Sequence, residues 1–513
     1  MTSIIIRGAQ VVDGTGAPAV KADIAVDGDR ISRIAPDINA PAEKVIEADG
    51  LVVAPGFIDI HAHGGAGILQ STTADSKVHD GITTEILGNC GSSPFPVRPE
   101  EKGRRSAAQL FEAVDEAGTS INRVFLVGLG SVRAFVMGPD SRPASPKDLE
   151  AMRQETARAV EEGAFGCSTG LIYPPGCFAT REEIAEVAKA AGERNALYAT
   201  HMRGEGDTLE QAVEEAEFIS KMSGARLQIS HLKCSGRRNW HKIDWLDERL
   251  HGMVDDGVDL ACDRYTYTAA STDIGSILPN WVYDGTDEQR MERLRDPEVR
   301  GRVEKEILAE HPEPEYWESV VVSWVPEGED ASYNGKSLRE IGEARGEQPV
   351  EVVMNLLARH KKKVAAVFFS MCEENLRRIL SWPFVAIGTD ARARVPRGKE
   401  LASRPHPRAY GTFSRLLGKY VREEKLLSLE EAVRRATSLP ARRLGLSGRG
   451  VLREGAFADI TIFDPAAVSD RATFTEPHQT SAGIPHVLVN GRLVIEDGSH
   501  NHSLPGRMLR KQG

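Results

Sequence analysis

The stretch Gly56-Phe57-Ile58-Asp59-Ile60-His61-Ala62-His63 decides the fold. Its first half is short and mostly apolar, contains β-branched isoleucines and follows a Pro-Gly pair, which is typical of a buried strand. Because side chains two residues apart on a strand share a face, His61 and His63 project together from the end of this strand. Two imidazoles placed in this way can chelate a divalent metal, although a His-x-His pair by itself is often a coincidence.

The composition is that of a soluble globular protein with more than one domain. The 513 residues are too many for one ordinary domain and could hold one large barrel plus a smaller unit. The formal net charge of -11 disfavours nucleic acid as a partner. The chain has no apolar run of transmembrane length and no recognisable signal sequence, so we expect a cytoplasmic protein without a membrane partner. The six cysteines form no CxxC pair, and we expect no disulfide framework.

Both ends of the chain carry short β-type segments separated by turn residues. They occupy residues 4 to about 53 at one end, and residues 458–463 and 486–494 at the other, where Asn490-Gly491 is typical of a hairpin turn. The sequence therefore predicts one small sheet domain built from residues 1–54 and 448–513.

Eight candidate strands alternate with helices through the middle of the chain. In chain order they end at His61, Cys90, Gly128, Ser168, His201, His231, Asp263 and Asp390. Helices are expected between several of them, for example after Thr180, which can cap its helix, and before Gly224, which can end one. Eight βα units predict a TIM barrel over residues 55–447.

Residues 284–350 interrupt this alternation. They are rich in charge and contain scattered tryptophans, and we interpret them as an insertion between the last two barrel strands. Such an insertion would lie on the rim where barrel active sites are found. It could be a lid over the site or a surface excursion without a chemical role, and the sequence leaves both open.

Residue types that bind metals recur where the predicted strands end. His61 and His63 follow the first strand, and Cys90, His201, His231, Asp263 and Asp390 end later ones. Each residue alone has an ordinary explanation, as a core histidine, a buried thiol or a helix cap. A TIM barrel collects these strand ends on one face, so their joint recurrence predicts a metal site there.

The strand ends also carry longer motifs that resemble those of a known family. The matching stretches are Pro55 to His63, Gly81-Ile82-Thr83-Thr84, Gly88-Asn89-Cys90-Gly91, Ser168 to Gly176, His201-Met202-Arg203, Ile229 to Cys234, Asp263 to Tyr267 and His406-Pro407-Arg408. They occur in family order, and on them the chain resembles the N-acyl-D-amino-acid deacylases (D-aminoacylases) of the amidohydrolase superfamily. The resemblance implies a TIM barrel with a small β-sandwich formed by the N- and C-terminal segments.

The resemblance also implies a metal site and a reaction. Cys90, His201 and His231 would hold one zinc ion tightly, and His61 and His63 would share Cys90 in a weaker second site. Three nitrogen and sulfur ligands leave a zinc position open for water, whose pKa then falls towards neutrality. The implied enzyme is a zinc-dependent hydrolase in which zinc-bound hydroxide attacks the amide of an N-acyl-D-amino acid.

The same resemblance assigns roles to the remaining site residues. Asp390 would be the general acid/base. The residues expected to bind the small-molecule substrate are Lys233, Arg408, Tyr265 and Ser271 at its carboxylate and Tyr173 at the scissile amide.

The chain departs from the family pattern after the last barrel strand. The stretch Ala391 to Arg404 looks longer and more basic than usual, because it contains Arg392, Arg394, Arg397, Lys399 and Arg404. These bases could favour an acidic substrate or could be a solvated loop.

Other functions are also open at this point. N-acyl-L-amino acids, D-dipeptides and cyclic amides are alternative substrates, although a carboxylate-binding set argues against cyclic amides. A non-catalytic scaffold is a further alternative, but such proteins usually lose metal ligands, and here every ligand position is filled. The oligomeric state, the acyl group and the substrate side chain do not follow from the sequence.

Overall fold

Eight parallel strands form the barrel. The computed structural model describes residues 2–98, 106–326, 328–361 and 364–512, without the side chains of Thr2, Ala66, Glu329 and Lys399. The barrel strands are Phe57–Asp59, Ile82–Leu87, Asn122–Phe125 with its continuation Val127–Gly128, Gly166–Gly170, Leu197–His201, Arg226–Ile229, Leu260–Arg264 and Val385–Ile387. They pair in chain order. A short parallel pair, Ala62–His63 with Ala391–Arg392, joins the eighth strand to the first. The predicted TIM barrel is confirmed.

Helices surround the barrel strands, which are almost entirely buried, as expected for a parallel sheet covered on both faces. The helices of this layer are Asp75–Val78, Ala107–Ala117, Leu129–Met137, Pro146–Glu161, Arg181–Gly192, Leu209–Ser223, Ile243–Asp255, Glu373–Ser381, Arg408–Arg415, Leu429–Ala436 and Ser438–Leu444, with a π-helix at Leu416–Glu423. Thr180 accepts a hydrogen bond from the Glu183 amide at one helix start, and Gly224 ends another helix with a φ of 71°. Local capping chemistry therefore sets these boundaries as predicted.

The two ends of the chain form one nine-stranded sheet. Its strands are Thr2–Val11, Val20–Asp27, Arg30–Ala35, Ala42–Glu47, Val52–Pro55, Ile460–Phe463, His486–Val489, Arg492–Glu496 and Ser499–His500. Val52–Pro55 pairs antiparallel with Ile460–Phe463, and this pairing joins the N-terminal part to the C-terminal part. The small β-sandwich made from both termini is thus present.

A folded unit lies between the seventh and eighth barrel strands. Its three-stranded sheet consists of Ala270–Asp273, Val320–Trp324 and Ala365–Phe368, and its helices are Asp287–Arg293, Pro297–Glu310, Tyr316–Ser319, Leu338–Arg345 and Pro349–Arg359. The unit has its own hydrophobic cluster, which includes Trp317 and Val320. Its sheet extends beyond residues 284–350 on both sides. The alternatives of a lid and of a surface excursion both stay open.

Helix length and polarity bear on membrane insertion. Within the part of the chain that the structure describes, no helix has both the length and the apolar character needed to span a bilayer.

Candidate active site

The predicted metal ligands meet around the thiol of Cys90, at the carboxyl ends of the barrel strands. Cys90 Sγ lies 3.3 Å from His61 Nε2 and 3.6 Å from His231 Nε2. His231 Nε2 also lies 2.8 Å from His201 Nδ1. All four side chains are buried. Residues that are far apart in the sequence are therefore brought together, because their strands end at the same face of the barrel.

Asp390 and His63 lie on the His61 side of this cluster. Asp390 Oδ1 is 2.8 Å from His63 Nε2 and 3.5 Å from His61 Nε2. The Asp390 amide donates a hydrogen bond of 2.7 Å to the carbonyl of His61, which fixes the start of the loop after the eighth strand. The carboxylate is thus held next to the cluster of imidazoles and the thiol.

The donor atoms fit a zinc ion. Ligand atoms of His61, Cys90, His231 and Asp390 lie within 4.8 Å of one another, and so do those of His201, Glu205 and His231. Among the described residues, the buried Nε2 of His201 has no hydrogen-bond partner, although buried polar atoms normally have one. Nitrogen and thiolate donors together suit zinc. His63 belongs to neither group, and the division of the ligands into a tight and a weak site stays a prediction.

Three of these residues have a strained backbone. Cys90, His231 and Asp390 have φ values of 51°, 36° and 49°, in the left-handed region that non-glycine residues rarely adopt. Each follows the end of a barrel strand, and each such conformation costs about 1–3 kcal/mol.

Electrostatics favour the charged forms of Cys90 and Asp390. Burial raises the pKa of the Cys90 thiol, but the positive charge of His61 and hydrogen bonds with His201 and His231 outweigh burial and hold it well below its usual value. Burial also raises the pKa of Asp390, and Arg408 leads the cations that hold it well below the usual range. A thiolate is the form in which cysteine binds a metal.

Two carboxylates lie behind the histidines. Asp263, predicted from its strand end, places Oδ1 2.9 Å from His61 Nδ1 and accepts a 2.8 Å hydrogen bond from the His231 amide. Glu205 places Oε1 2.9 Å from His231 Nδ1. The sequence analysis missed Glu205, because it lies in a loop where a single carboxylate carries no periodic or motif signal.

The predicted substrate residues surround the same site. Arg408 Nη1 lies 2.8 Å from Asp390 Oδ2, and Arg408 Nη2 donates a hydrogen bond to the carbonyl of Ser271. The Arg408 guanidinium lies 4.6 Å from the ring centre of Tyr265, whose buried hydroxyl has no partner among the described residues. Lys233 Nζ is 2.5 Å from Glu205 Oε1, so its charge is already paired.

Two further contacts position these groups and were not predicted. Tyr173, whose ring contacts His201 edge-on, is joined through its hydroxyl to Thr272 Oγ1 at 2.7 Å. His406 Nδ1 accepts a 3.0 Å hydrogen bond from the Arg408 amide, and its Nε2 lies 2.9 Å from the Ala269 carbonyl. The folded unit before the eighth strand, which contains Thr272, therefore contributes directly to the walls of the site.

Most of the basic side chains after Asp390 bond to partners within the chain. Arg392 and Arg394 both bond to Glu400, and Arg404 donates to the Thr475 carbonyl. Arg397 is exposed, and the side chain of Lys399 lies outside the described residues. These contacts give no support to a basic pocket for an acidic substrate.

Fold and site together define a metal-dependent amidohydrolase. Two models of the amidohydrolase family match residues 52–252 and 287–495. An N-acyl-D-glutamate deacylase of Alcaligenes xylosoxydans xylosoxydans is 35% identical over 99% of this chain and 96% of its own length. The chain belongs to the D-aminoacylase family of the amidohydrolase superfamily.

Solved structures of metal-containing relatives match the fold. An N-acyl-D-glutamate deacylase from Bordetella bronchiseptica, complexed with zinc and a phosphonate inhibitor, matches with a TM-score of 0.84 and 33% identity over 99% of this chain and 100% of that chain. A D-aminoacylase with a binuclear metal centre, described for one-metal activation and second-metal attenuation, matches with a TM-score of 0.85 and 32% identity over 100% of both chains.

Proposed function

We propose that the protein hydrolyses the amide bond of N-acyl-D-amino acids and releases a D-amino acid and a carboxylic acid. The observation that carries the proposal is the position of Asp390, which contacts the histidines of the Cys90 cluster through one oxygen and the Arg408 guanidinium through the other. One carboxylate thus lies between a metal-binding cluster and a cation that suits the carboxylate of a substrate. The names of the relatives support the same class of substrate.

The metal-binding role falls to the cluster around Cys90. We assign Cys90, His201 and His231 to a tight zinc site, and His61 and His63 with Cys90 to a weaker second site. Zinc held there would polarise the amide carbonyl and lower the pKa of water. Asp263 contacts His61 Nδ1 and so holds the ring in an orientation in which His61 Nε2 faces Cys90.

Asp390 would move the proton in the reaction. Its carboxylate is ionised at neutral pH, because nearby cations hold its pKa low, so it can accept a proton from water. It would then donate that proton to the leaving amine nitrogen. Tyr173, whose ring contacts His201, would donate a hydrogen bond to the oxygen of the scissile amide.

A free carboxylate on the substrate would be bound by Arg408, with Lys233, Tyr265 and Ser271. The planar guanidinium suits a carboxylate in a bidentate arrangement. The partnerless Tyr265 hydroxyl next to Arg408 offers a further donor. These groups favour linear N-acyl amino acids over cyclic amides, which have no free α-carboxylate.

The test is hydrolysis of paired N-acetyl-D- and N-acetyl-L-amino acids by zinc-loaded protein, with side chains of Met, Leu, Phe, Glu and Asp. We expect turnover of D-substrates, with Asp390→Asn reducing kcat by about 100- to 10,000-fold. Asp49→Asn is the matched control, because Asp49 is an exposed carboxylate in a turn between two strands of the terminal sheet and pairs with Lys21.

Two results would reject the proposal. Zinc-loaded protein that turns over none of the D-substrates is not an N-acyl-D-amino-acid deacylase, and dipeptides and cyclic amides would be tested next. Turnover restricted to L-substrates would keep the chemistry and overturn the stereochemical assignment. The preferred side chain within the D-series would show whether the basic stretch after Asp390 has any role in selection.

A further inference from the structure

Glu205 lies in the loop after the fifth barrel strand, four residues beyond His201, and its side chain is only 13% exposed. Its Oε1 is 2.9 Å from His231 Nδ1 and 2.5 Å from Lys233 Nζ. Lys233 Nζ is in turn 2.8 Å from His231 Nδ1. The carboxylate therefore contacts a proposed metal ligand and a proposed substrate-binding cation at the same time.

In this triangle His231 Nδ1 lies between an acceptor, Glu205 Oε1 at 2.9 Å, and a donor, Lys233 Nζ at 2.8 Å. An ammonium group can only donate, and an ionised carboxylate can only accept. With Glu205 present, Lys233 and His231 Nδ1–H can both donate to its oxygen, which leaves the lone pair of His231 Nε2 facing Cys90 Sγ at 3.6 Å. Without Glu205, Lys233 would donate to Nδ1, and the hydrogen of the neutral ring would have to be on Nε2, where it blocks a metal.

On the His61 side of the cluster a carboxylate also contacts the histidine ring, but no lysine takes part. Asp263 Oδ1 lies 2.9 Å from His61 Nδ1, and His61 Nε2 faces Cys90 Sγ at 3.3 Å. Carboxylates that hold histidine ligands in this way fix the ring and its tautomer. Glu205 differs from Asp263 because a lysine competes for the same ring nitrogen.

We propose that Glu205 is a positioning residue that keeps Lys233 from donating to His231 and so keeps His231 Nε2 available to a metal. It also holds the Lys233 ammonium in place beside the site. The inference rests on the proposed function for the roles of His231 and Lys233. It adds a dependence of metal binding on a residue that is not itself among the proposed ligands.

The test compares metal affinity in the parent protein, Glu205→Ala, Lys233→Met and the double variant. Affinity for Zn²⁺ is measured by competition with a chromogenic chelator, and Co²⁺ is added separately to record the absorption bands of the cobalt–thiolate site. We expect Glu205→Ala to weaken zinc binding by about 10- to 100-fold, as loss of a carboxylate behind a histidine ligand does elsewhere. Adding Lys233→Met to Glu205→Ala should then recover much of that loss.

The recovery separates positioning from a general structural role. A variant that is merely less stable would lose more on a second substitution, so an additive or larger loss in the double variant would overturn the proposal. A changed cobalt spectrum in Glu205→Ala, with no recovery of zinc affinity in the double variant, would also overturn the proposal, because that result would make Glu205 a direct metal ligand. Glu205→Gln, which keeps size and an acceptor oxygen, serves if the alanine variant does not fold, and should again show recovery with Lys233→Met.

The matched control is Glu210→Gln. Glu210 lies in the same segment of the chain but pairs with Lys242, 2.7 Å away. The Glu210→Gln variant should therefore bind zinc with the affinity of the parent protein. The outcome is independent of the substrate assignment. If the parent binds zinc and the recovery is seen, but no N-acyl-D-amino acid is hydrolysed, the proposed substrate is rejected and the role of Glu205 stands. If the parent binds no metal, both are rejected.

Discussion

Lys77 shows how a single residue can join the first and eighth barrel strands, two of the strands that carry the site. Its ammonium is fully buried and bonds to Asp59 Oδ2 at 2.6 Å, Thr389 Oγ1 at 2.5 Å and the Ala391 carbonyl at 2.8 Å. Asp59 Oδ1 in turn accepts from the amides of Thr389 and His61. The first and eighth strands are therefore tied together next to His61 and Asp390 by one buried ion pair.

Replacement of Lys77 by methionine should be strongly destabilising. The substitution leaves the Asp59 carboxylate buried without its cation, and breaking a buried pair in this way costs about 3–5 kcal/mol. The free energy of unfolding from urea titration measures the effect. Lys189→Met is the control, because Lys189 forms a half-exposed helical pair with Glu186 that contributes about 0.5 kcal/mol. Equal stability of the two variants would show that Asp59 is satisfied without Lys77.

At this scale the sequence reveals candidate metal ligands more readily than the residues that hold them in place. Cys90 and His231 stand at the ends of apolar strands, so periodicity and the barrel rule bring them to one face. Glu205, Lys77 and Thr272 come from loops, a short helix and the edge of a separate sheet. Their partners are distant in the sequence and are chosen by packing, which no local pattern records.

Secondary-structure elements were predictable where their determinants are local. The helix after Thr180 has a side-chain cap, and the hairpin at Asn490-Gly491 has two residues with positive φ. The unit before the eighth strand was not predictable in detail. Its strands Ala270–Asp273 and Ala365–Phe368 pair across more than ninety intervening residues, so neither is specified by its neighbours in sequence.

The helix Pro297–Glu310 in that unit provides a test of pH dependence. His311 follows it as C-cap and stacks on Tyr316 at 3.8 Å. Burial, followed by the charge of Arg238, lowers the pKa of His311 to about 4. Between about pH 4 and pH 6.5 the unfolded chain therefore binds a proton at this residue that the folded chain does not, so acidification through this window removes stability.

His311→Phe keeps the stacking and removes the titrating group. We expect the parent to lose about 2 kcal/mol more than this variant when the pH falls from 7 to 4.5. Urea unfolding at both pH values measures the difference, since other groups titrate alike in both proteins. His241→Phe, at an exposed histidine, should follow the parent. Parallel losses in the parent and His311→Phe would refute the assignment of this pH dependence to His311.

The candidate site depends on the whole barrel, because no single segment of the chain contains all of its residues. The proposed ligands come from the first, second, fifth and sixth barrel strands and Asp390 from the eighth, so they meet only when the barrel is closed. The β-sandwich likewise depends on distant segments, because Val52–Pro55 pairs with Ile460–Phe463 across the whole barrel sequence between them. The sequence predicted both features because a repeated βα pattern and β-type ends specify an architecture even where individual contacts are not specified.

Metal binding should therefore stabilise the barrel as a whole. A ligand that binds only the folded state adds RT ln(1 + [L]/Kd), about 4 kcal/mol when free zinc exceeds Kd by about a thousandfold. We expect Tm to rise on addition of zinc to chelator-treated protein and to fall again with a chelator, as measured by calorimetry. Cys90→Ala removes the thiolate at the centre of the cluster, so its Tm should respond little to zinc, whereas Cys167→Ala, at a buried cysteine outside the cluster, should keep the full response. A Tm that is insensitive to zinc in the parent would mean that the convergent residues do not form a metal site in the folded protein.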